Sequence, residues 1–241
     1  MTNTQLLISV TNTTEALMAM NAGANIIDLK DPNVGALGAL PYETTRDIVL
    51  AINNRALVSA TVGEHHHTIA DLNKAVKHTA DLGVDIVKIA LNENLARSLL
   101  ADIDFLKLIN QLKNNQVNLI AVLFADQSLA MNILPLIKEL GFYGVMLDTA
   151  HKNGKSLIYY ITGENLKIFM QMCGGYQLVT GLAGSLNINL AESLLNSKPN
   201  YLGFRGGVCH DLNRQSKLDK DKILKIKNLL LNYNKFSEIP H

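Results

Sequence analysis

The chain contains no tryptophan, and it has only two cysteines and five prolines among its 241 residues. Cys173 and Cys209 stand far apart without the spacing of metal ligands, so we expect reduced thiols and not a disulfide framework. No apolar run reaches about 18 residues without a charge, which argues against a transmembrane helix. The first residues lack the basic charge of a secretory signal, so we expect a cytoplasmic protein without a membrane partner.

The chain also lacks an excess of charge of either sign. It has 22 Lys and Arg residues against 21 Asp and Glu residues, for a formal net charge of +1. This balance argues against nucleic-acid binding as the main task, because a phosphate backbone attracts clustered cations. Hydrophobic residues make up 48% of the chain, which is enough for one large core. No linker rich in Pro, Gly or Ser divides the sequence, so we predict a single domain over residues 1–241.

Short apolar runs alternate with longer amphipathic stretches along the whole chain. The apolar runs predict eight strands near residues 5–10, 25–30, 56–62, 85–91, 117–124, 143–148, 177–183 and 201–206. The amphipathic stretches predict helices near residues 13–22, 43–53, 68–82, 95–114, 128–140, 163–173, 187–195 and 218–232.

Eight strands that are each followed by a helix indicate the α/β class and a (β/α)8 barrel, the TIM barrel. The rival fold is an open, doubly wound sheet, which would be marked by a glycine-rich turn after the first strand. Residues 11–15 (TNTTE) occupy that turn and contain no glycine, which disfavours a dinucleotide-binding fold. The oligomeric state stays open, although the apolar exterior of a barrel often allows a homo-oligomer.

Two lysines lie at the ends of strand-like apolar runs, and they are the first candidates for chemistry. Lys30 ends residues 25–30 (NIIDLK), and Lys88 lies within residues 85–90 (DIVKIA). For a single lysine at the end of a strand, the simplest interpretation is that its side chain points into solvent, since lysine is mostly exposed. Burial, however, lowers the pKa of an ammonium group and frees the amine to act as a nucleophile or base. We therefore consider a Schiff-base enzyme.

Polar residues that share the face of these lysines strengthen this interpretation. Side chains alternate along a strand, so residues two apart lie on the same face. Because the apolar face must pack on the helices, we predict that the polar face points to the barrel axis, near the carboxyl ends where barrel enzymes bind substrates. The residues with this placement are Asp28, Lys30, Ser59, Thr61, Lys88, Asp148 and Arg205.

Two glycine-containing turns predict a phosphate site. Residues 181–185 (GLAGS) follow the seventh strand, and residues 205–207 (RGG) follow the eighth. Loops at these two positions commonly bind phosphate in barrels, because their glycines let backbone N–H groups approach the anion. We therefore expect Gly184, Ser185, Gly206 and Gly207 to hold a phosphorylated ligand, with Arg205 beside them.

Other polar residues after the strands favour simpler interpretations. Three consecutive histidines, His65 to His67, do not converge readily on one ion, so we expect no metal site. His151 lies in the loop after Asp148 and is interpreted as a residue that supports the predicted site without contacting the substrate. Asp126 follows the fifth strand and is interpreted as the cap of the next helix.

The motifs together resemble a known enzyme family. Residues 28–39 (DLKDPNVGALGA) match the signature Asp-x-Lys-x-Pro-x-x-Gly-x-Leu-Gly-Ala. Four further matches follow in the same order: residues 58–63 (VSATVG), residues 87–88 (VK), residues 146–150 (MLDTA) with Lys152, Gly154 and Lys155, and residues 182–185 (LAGS). The chain resembles the (5-formylfuran-3-yl)methyl phosphate synthases of methanofuran biosynthesis from about residue 5 to 230. It departs from their pattern mainly at residues 64–67 and after Arg205.

The resemblance implies a reaction and a set of roles. Two glyceraldehyde 3-phosphate molecules would condense, with loss of one phosphate and water, to a furan aldehyde phosphate. Lys30 would form the Schiff base and Lys88 would accept protons, while Asp28 and Asp148 would orient the amines and shuttle protons. Lys152 would act with them on the leaving oxygen. Substrate and phosphate binding would fall to Lys155, Ser59, Thr61, Gly184, Ser185, Arg205, Gly206 and Gly207. Neither a cofactor nor a metal is required.

Two other functions stay open on the sequence alone. The first is another lysine-dependent aldolase that acts on sugar phosphates, which would share the lysines and the phosphate loops and differ in its product. The second is a barrel that binds a phosphorylated ligand without converting it. Release of phosphate together with a furan chromophore distinguishes the synthase from both.

Overall fold

A computed structural model describes residues 3–127, 131–151 and 153–237 and shows a closed barrel of eight parallel strands. Each strand pairs with the next along the chain, and the eighth pairs with the first. The predicted (β/α)8 barrel is thereby confirmed. The strands are β1 (Gln5–Val10), β2 (Ile26–Leu29), β3 (Leu57–Thr61), β4 (Ile86–Ala90), β5 (Asn118–Phe124), β6 (Gly144–Asp148), β7 (Val179–Leu182) and β8 (Tyr201–Phe204).

Helices connect the strands. They are α1 (Thr13–Asn21), α2 (Tyr42–Ile52), α3 (Ile69–Asp81), α4 (Glu93–Ala101), α5 (Ile103–Asn114), α6 (Ile133–Glu139), α7 (Leu157–Tyr160), α8 (Gly163–Gly175), α9 (Ile188–Leu195) and α10 (Lys220–Ser237). Two short 3₁₀ helices, Gly206–Val208 and His210–Leu212, follow β8. In the described part of the chain, no helix combines the length and the apolar character needed to cross a membrane.

The helices differ from the prediction in three places. The helix predicted over residues 95–114 is two helices, because Asp102 adopts an extended backbone and accepts a hydrogen bond from the Phe105 N–H as the N-cap of α5. A short additional helix, α7, precedes α8. The helix predicted over residues 128–140 begins at Ile133, and residues 128–130 lie outside the described part of the chain.

Two apolar clusters bury the two faces of the barrel sheet. The outer cluster lies between strands and helices and includes Ile27 and Leu29 of β2. The smaller, axial cluster fills the inside of the barrel and includes Ile26 of β2 and Leu37. The faces alternate as predicted, since residues of one strand two apart lie in the same cluster. The polar residues of the inward face therefore point to the barrel axis.

Residues 31–40, which we name the β2 loop, fold over the carboxyl end of the barrel. Leu37 of this loop is completely buried in the axial cluster. Its N–H donates to the Glu64 carboxylate from the loop after β3, at 2.5 Å. The carbonyl of Gly38 accepts a 2.9 Å hydrogen bond from the Thr61 hydroxyl. The loop is therefore anchored by the third strand and its loop, and one leucine enters the barrel interior from above the strands.

Candidate active site

The register of three neighbouring strands places a buried carboxylate between two hydroxyl groups. Asp28 of β2 lies opposite Ser9 of β1 and Ser59 of β3. The Ser9 hydroxyl donates to Asp28 Oδ2 at 2.8 Å, and the Ser59 hydroxyl donates to Asp28 Oδ1 at 2.6 Å. Parallel strands at this register bring side chains of equal depth together on one face. Asp28 is therefore held in one orientation at the barrel axis.

Lys88 of β4 forms an ion pair with Asp28, and both side chains are completely buried. Burial alone would raise the pKa of the Asp28 carboxyl, but the charges of Lys88 and Lys30 and the Lys88 and Ser59 hydrogen bonds bring it below its usual value. Burial lowers the pKa of the Lys88 ammonium group, Asp28 opposes this shift, and the charge of Lys30 adds to it. Lys88 is therefore a buried amine whose proton is more easily removed than that of an exposed lysine.

A second lysine–carboxylate pair lies at the ends of β2 and β6. Lys30 Nζ lies 3.3 Å from Asp148 Oδ2, and both side chains are buried. The N–H of Thr149 donates to the other oxygen of Asp148 at 2.7 Å, which fixes the carboxylate plane. The sequence prediction that Asp28, Lys30, Lys88 and Asp148 converge at one end of the barrel therefore matches their positions. The two pairs also interact through the charge of Lys30.

A cleft of about 450 Å³ opens beside the Lys30–Asp148 pair. Lys30 and Asp148 line it, whereas Asp28 and Lys88 lie behind its wall. Residues from the loops after β7 and β8 line the same cleft, and Gly184 lies next to Thr149, the residue that follows Asp148. Among the lining residues are those that the sequence analysis predicted to bind phosphate: Gly184, Ser185, Arg205, Gly206 and Gly207.

The loops after β7 and β8 contact each other through their backbones. A methyl group on Gly207 would lie 2.1 Å from the carbonyl oxygen of Leu186, so only glycine permits this approach. Gly184 and Ser185 both have positive φ angles, +101° and +50°. Within the described residues, no hydrogen bond is donated by the N–H groups of residues 184, 185, 206 and 207 to a backbone or side-chain acceptor. We call these four residues the phosphate cradle, since their free N–H groups border the cleft.

The structure gives Arg205 a different set of partners from the one expected. Its guanidinium group forms an ion pair with Glu15 of α1, in which Nη1 and Oε2 are 2.5 Å apart. Its other donors bind the carbonyl oxygens of Ser9, Arg214 and Ser216. A guanidinium group has five N–H donors, and these partners account for all five. The expectation that Arg205 binds phosphate is therefore corrected to a structural role that joins β8 to α1.

Three other predicted contacts also differ from the expectation of direct substrate binding. The Ser59 hydroxyl donates a hydrogen bond to Asp28, and the Thr61 hydroxyl donates one to the Gly38 carbonyl. Neither residue lines the cleft. Lys155 is exposed, with its ammonium group 3.9 Å from the centre of the Tyr159 ring, and a hydrogen bond to Tyr159 raises the pKa of Lys155. It also lies outside the cleft lining. Lys152 lies outside the described residues, so its role stays a prediction.

Asp126 has other contacts than the one predicted. Asp126 is not the N-cap of α6, which is Asn132; it accepts hydrogen bonds from the N–H groups of Ala150 and His151 and contacts the His151 ring at 3.0 Å. It therefore holds the loop that follows Asp148. Burial lowers the pKa of the His66 ring. Across residues 3–127, 131–151 and 153–237, no three His, Cys, Asp or Glu side chains cluster as a metal site would.

Sequence reasoning missed three residues of this region. Ser9 could have been found by its alternation with Leu7 on the inward face of β1. Arg214 lines the cleft from a loop without periodicity, and no sequence signal indicates its position. Leu37 belongs to the signature motif, but its entry into the barrel depends on the fold of the β2 loop.

Solved structures with a similar fold support the barrel and nothing further. 3-Hexulose-6-phosphate synthase from Salmonella typhimurium aligns with a TM-score of 0.68 at 13% identity, covering 95% of this chain and 99% of that one. Phosphoribosyl anthranilate isomerase from Thermus thermophilus aligns with a TM-score of 0.65, also at 13% identity, covering 95% of this chain and 98% of that one. Identities this low show the fold alone.

Curated proteins of one enzyme family are similar over most of the chain. The chain is 33% identical over 215 residues to (5-formylfuran-3-yl)methyl phosphate synthase of Methanosarcina mazei, covering 85% of this chain and 90% of that one. It is 37% identical over 219 residues to a Methylorubrum extorquens protein provisionally given the same name, covering 91% and 88% of the two chains. The profile of the family described as 4-HFC-P synthase matches residues 6–227. The chain therefore belongs to the 4-HFC-P synthase family.

Proposed function

We propose that the protein condenses two molecules of glyceraldehyde 3-phosphate through a lysine Schiff base to (5-formylfuran-3-yl)methyl phosphate. The atoms balance when the two triose phosphates lose one inorganic phosphate and two water molecules. The product name comes from the family, and the chemistry is supported by the residues at the barrel end. The observation that carries the proposal is the buried Lys30–Asp148 pair, which lines the same cleft as the phosphate cradle.

Lys30 is the residue we assign to imine formation. An amine attacks a carbonyl only when it is deprotonated, and the Asp148 carboxylate at 3.3 Å is placed to accept its proton. The attack forms the carbon–nitrogen bond, and the carbonyl oxygen leaves as water. The resulting iminium ion withdraws electrons from the adjacent carbon, so a proton there can be removed and a new carbon–carbon bond can form.

Lys88 and Asp28 are the residues we assign to proton transfer. The lowered pKa of Lys88 means that its ammonium form releases a proton more readily than an exposed lysine does, and Asp28 holds that form in place. Two dehydrations and one phosphate elimination each need a proton moved to a leaving oxygen. A pair of buried groups that share a proton supplies such transfers without a metal. The cradle at residues 184, 185, 206 and 207 would hold the phosphate that the product keeps.

Borohydride reduction with glyceraldehyde 3-phosphate tests the central step. We expect a reduced adduct on Lys30 by peptide mass mapping, together with phosphate release and a furan chromophore in the unreduced reaction. Lys30→Arg keeps the charge but forms no imine, so it should give neither adduct nor product, whereas the exposed Lys217→Arg control should behave as wild type. An adduct on Lys88, or none on any lysine, would refute the assignment.

A second measurement separates this function from another aldolase. If the protein cleaves or condenses sugar phosphates without releasing phosphate, it is a Schiff-base aldolase of different product. If it binds triose phosphate but shows neither turnover nor a trapped imine, it is a binding protein. Asp148→Asn should fold and should lower the rate by about 10²–10⁴, the usual scale for one acid–base group. A wild-type rate in this variant removes Asp148 from the mechanism.

A further inference from the structure

The phosphate cradle consists of three glycines and one serine, so none of its own side chains carries a positive charge. Its four N–H groups donate hydrogen bonds, but a phosphate dianion is commonly bound with a cationic side chain as well. Among residues 3–127, 131–151 and 153–237, three cationic residues line the cleft: Lys30, Arg205 and Arg214. Lys30 is paired with Asp148, and all five donors of Arg205 are used by Glu15 and by backbone carbonyls. Of the described lining residues, Arg214 is the remaining candidate.

Arg214 lies beside the cradle. A methyl group on Gly206 would come within 3.7 Å of both the Cβ and the backbone nitrogen of Arg214. The carbonyl oxygen of Arg214 accepts a 2.8 Å hydrogen bond from Arg205 Nε, so the Glu15–Arg205 pair holds its backbone. The structural ion pair thereby positions a second arginine at the cleft wall.

The side chain of Arg214 reaches from the loop after β8 to the β2 loop. Its Nη2 donates to the Gly35 carbonyl oxygen at 2.9 Å. This is its one side-chain hydrogen bond within the described residues, so four of its five N–H donors are available to a ligand. The group is half-buried, and burial lowers its pKa while Asp148 and Glu64 oppose the shift. A partly desolvated guanidinium group with free donors is suited to a phosphate.

We propose that Arg214 is the guanidinium ligand of the phosphate bound in the cradle. The proposal rests on the proposed function only for the identity of the phosphate ester; the contact itself concerns any phosphate in the cradle. It also assigns Arg205 and Arg214 different tasks. The first holds the loop, and the second contacts the anion.

Titration with inorganic phosphate tests this contact on the full chain. We expect Arg214→Gln to weaken phosphate binding by about 10- to 100-fold, as measured by calorimetry, because a charge-assisted hydrogen bond is lost. Lys217→Gln, which removes an exposed cation from the same loop, should leave the affinity unchanged. Wild-type affinity in Arg214→Gln overturns the proposal. If that variant does not fold, Arg214→Lys replaces it: a loss of about threefold or more supports the guanidinium contact, and unchanged affinity rejects it.

A comparison of glyceraldehyde 3-phosphate with glyceraldehyde tests the role of Arg214 separately from the proposed function. In Arg214→Gln, KM for glyceraldehyde 3-phosphate should rise by about tenfold or more, whereas borohydride trapping of glyceraldehyde, which has no phosphate, should proceed as in wild type. Loss of trapping with both aldehydes would overturn the phosphate-specific role. If wild type forms no imine at all, the proposed function fails, but the inorganic phosphate titration still decides the role of Arg214.

Discussion

The Asp28–Lys88 pair predicts a large and pH-dependent loss of stability in Asp28→Asn. Both side chains are completely buried, and Asp28 also accepts hydrogen bonds from the hydroxyl groups of Ser9 and Ser59. The substitution removes the negative charge and leaves the Lys88 ammonium group without its partner. Breaking a buried pair from one side costs about 3–5 kcal/mol, because the remaining charge stays desolvated. We expect a loss of this size in the free energy of unfolding at pH 7.

The loss should shrink as the pH rises. The pKa of Lys88 is already lowered in the folded protein, and without Asp28 it falls further, because the carboxylate opposed the shift. Between this folded pKa and the unfolded value of about 10.4, the unfolded state binds more protons, so the free energy of unfolding rises with pH. Neutral Lys88 needs no counter-charge. The variant should therefore approach wild type towards pH 10.

Urea denaturation followed by far-ultraviolet circular dichroism measures both effects, since the chain has no tryptophan to report unfolding. Profiles at several pH values between 6 and 10 compare wild type, Asp28→Asn and the exposed control Asp104→Asn. Adding Lys88→Met to Asp28→Asn should restore part of the lost stability, because the unpaired charge is gone. A variant as stable as wild type at pH 7, or a deficit that grows with pH, would refute the reasoning.

Three further substitutions test the packing around the site. Leu37→Ala should lower the free energy of unfolding by about 2–4 kcal/mol in urea, since the side chain is completely buried, whereas Val34→Ala on the exposed part of the same loop should not. Gly207→Ala should weaken inorganic phosphate binding, because its methyl group would lie 2.1 Å from a carbonyl oxygen of the facing loop. Glu15→Gln should lower the melting temperature markedly, because it leaves the buried Arg205 guanidinium group without its carboxylate.

Matched controls make these three outcomes decisive. Gly163→Ala places a methyl group in open space and should leave phosphate binding intact. Glu93→Gln removes an exposed pair with Arg97 and should leave the melting temperature nearly unchanged. If a variant and its control change the measured stability or phosphate affinity equally, the contact that we describe at that position is not the cause of the change.

The barrel could be predicted from the sequence because its signals are local. An alternation of short apolar runs with amphipathic stretches depends only on neighbouring residues, and the two-residue period decides which side chains share a face. Asp28 and Lys30 follow this rule on β2, and Lys88 follows it on β4. Helix boundaries depend on more than this pattern, since Asp102 lies inside one continuous amphipathic stretch and yet divides α4 from α5 as an N-cap.

The pairing of the charged groups could not be predicted, because it depends on distances between remote segments. Lys30 pairs with a carboxylate 118 positions away, and Arg205 pairs with one 190 positions away. Whether an arginine beside a glycine turn meets a phosphate or a buried glutamate is decided by the closure of the barrel, which brings α1 next to β8. Local patterns in the chain are enough to define the elements, their faces and the family motifs. The partners of the charged groups depend on the folded barrel, since a charge in a desolvated interior pairs with the nearest opposite charge, whatever its position in the chain.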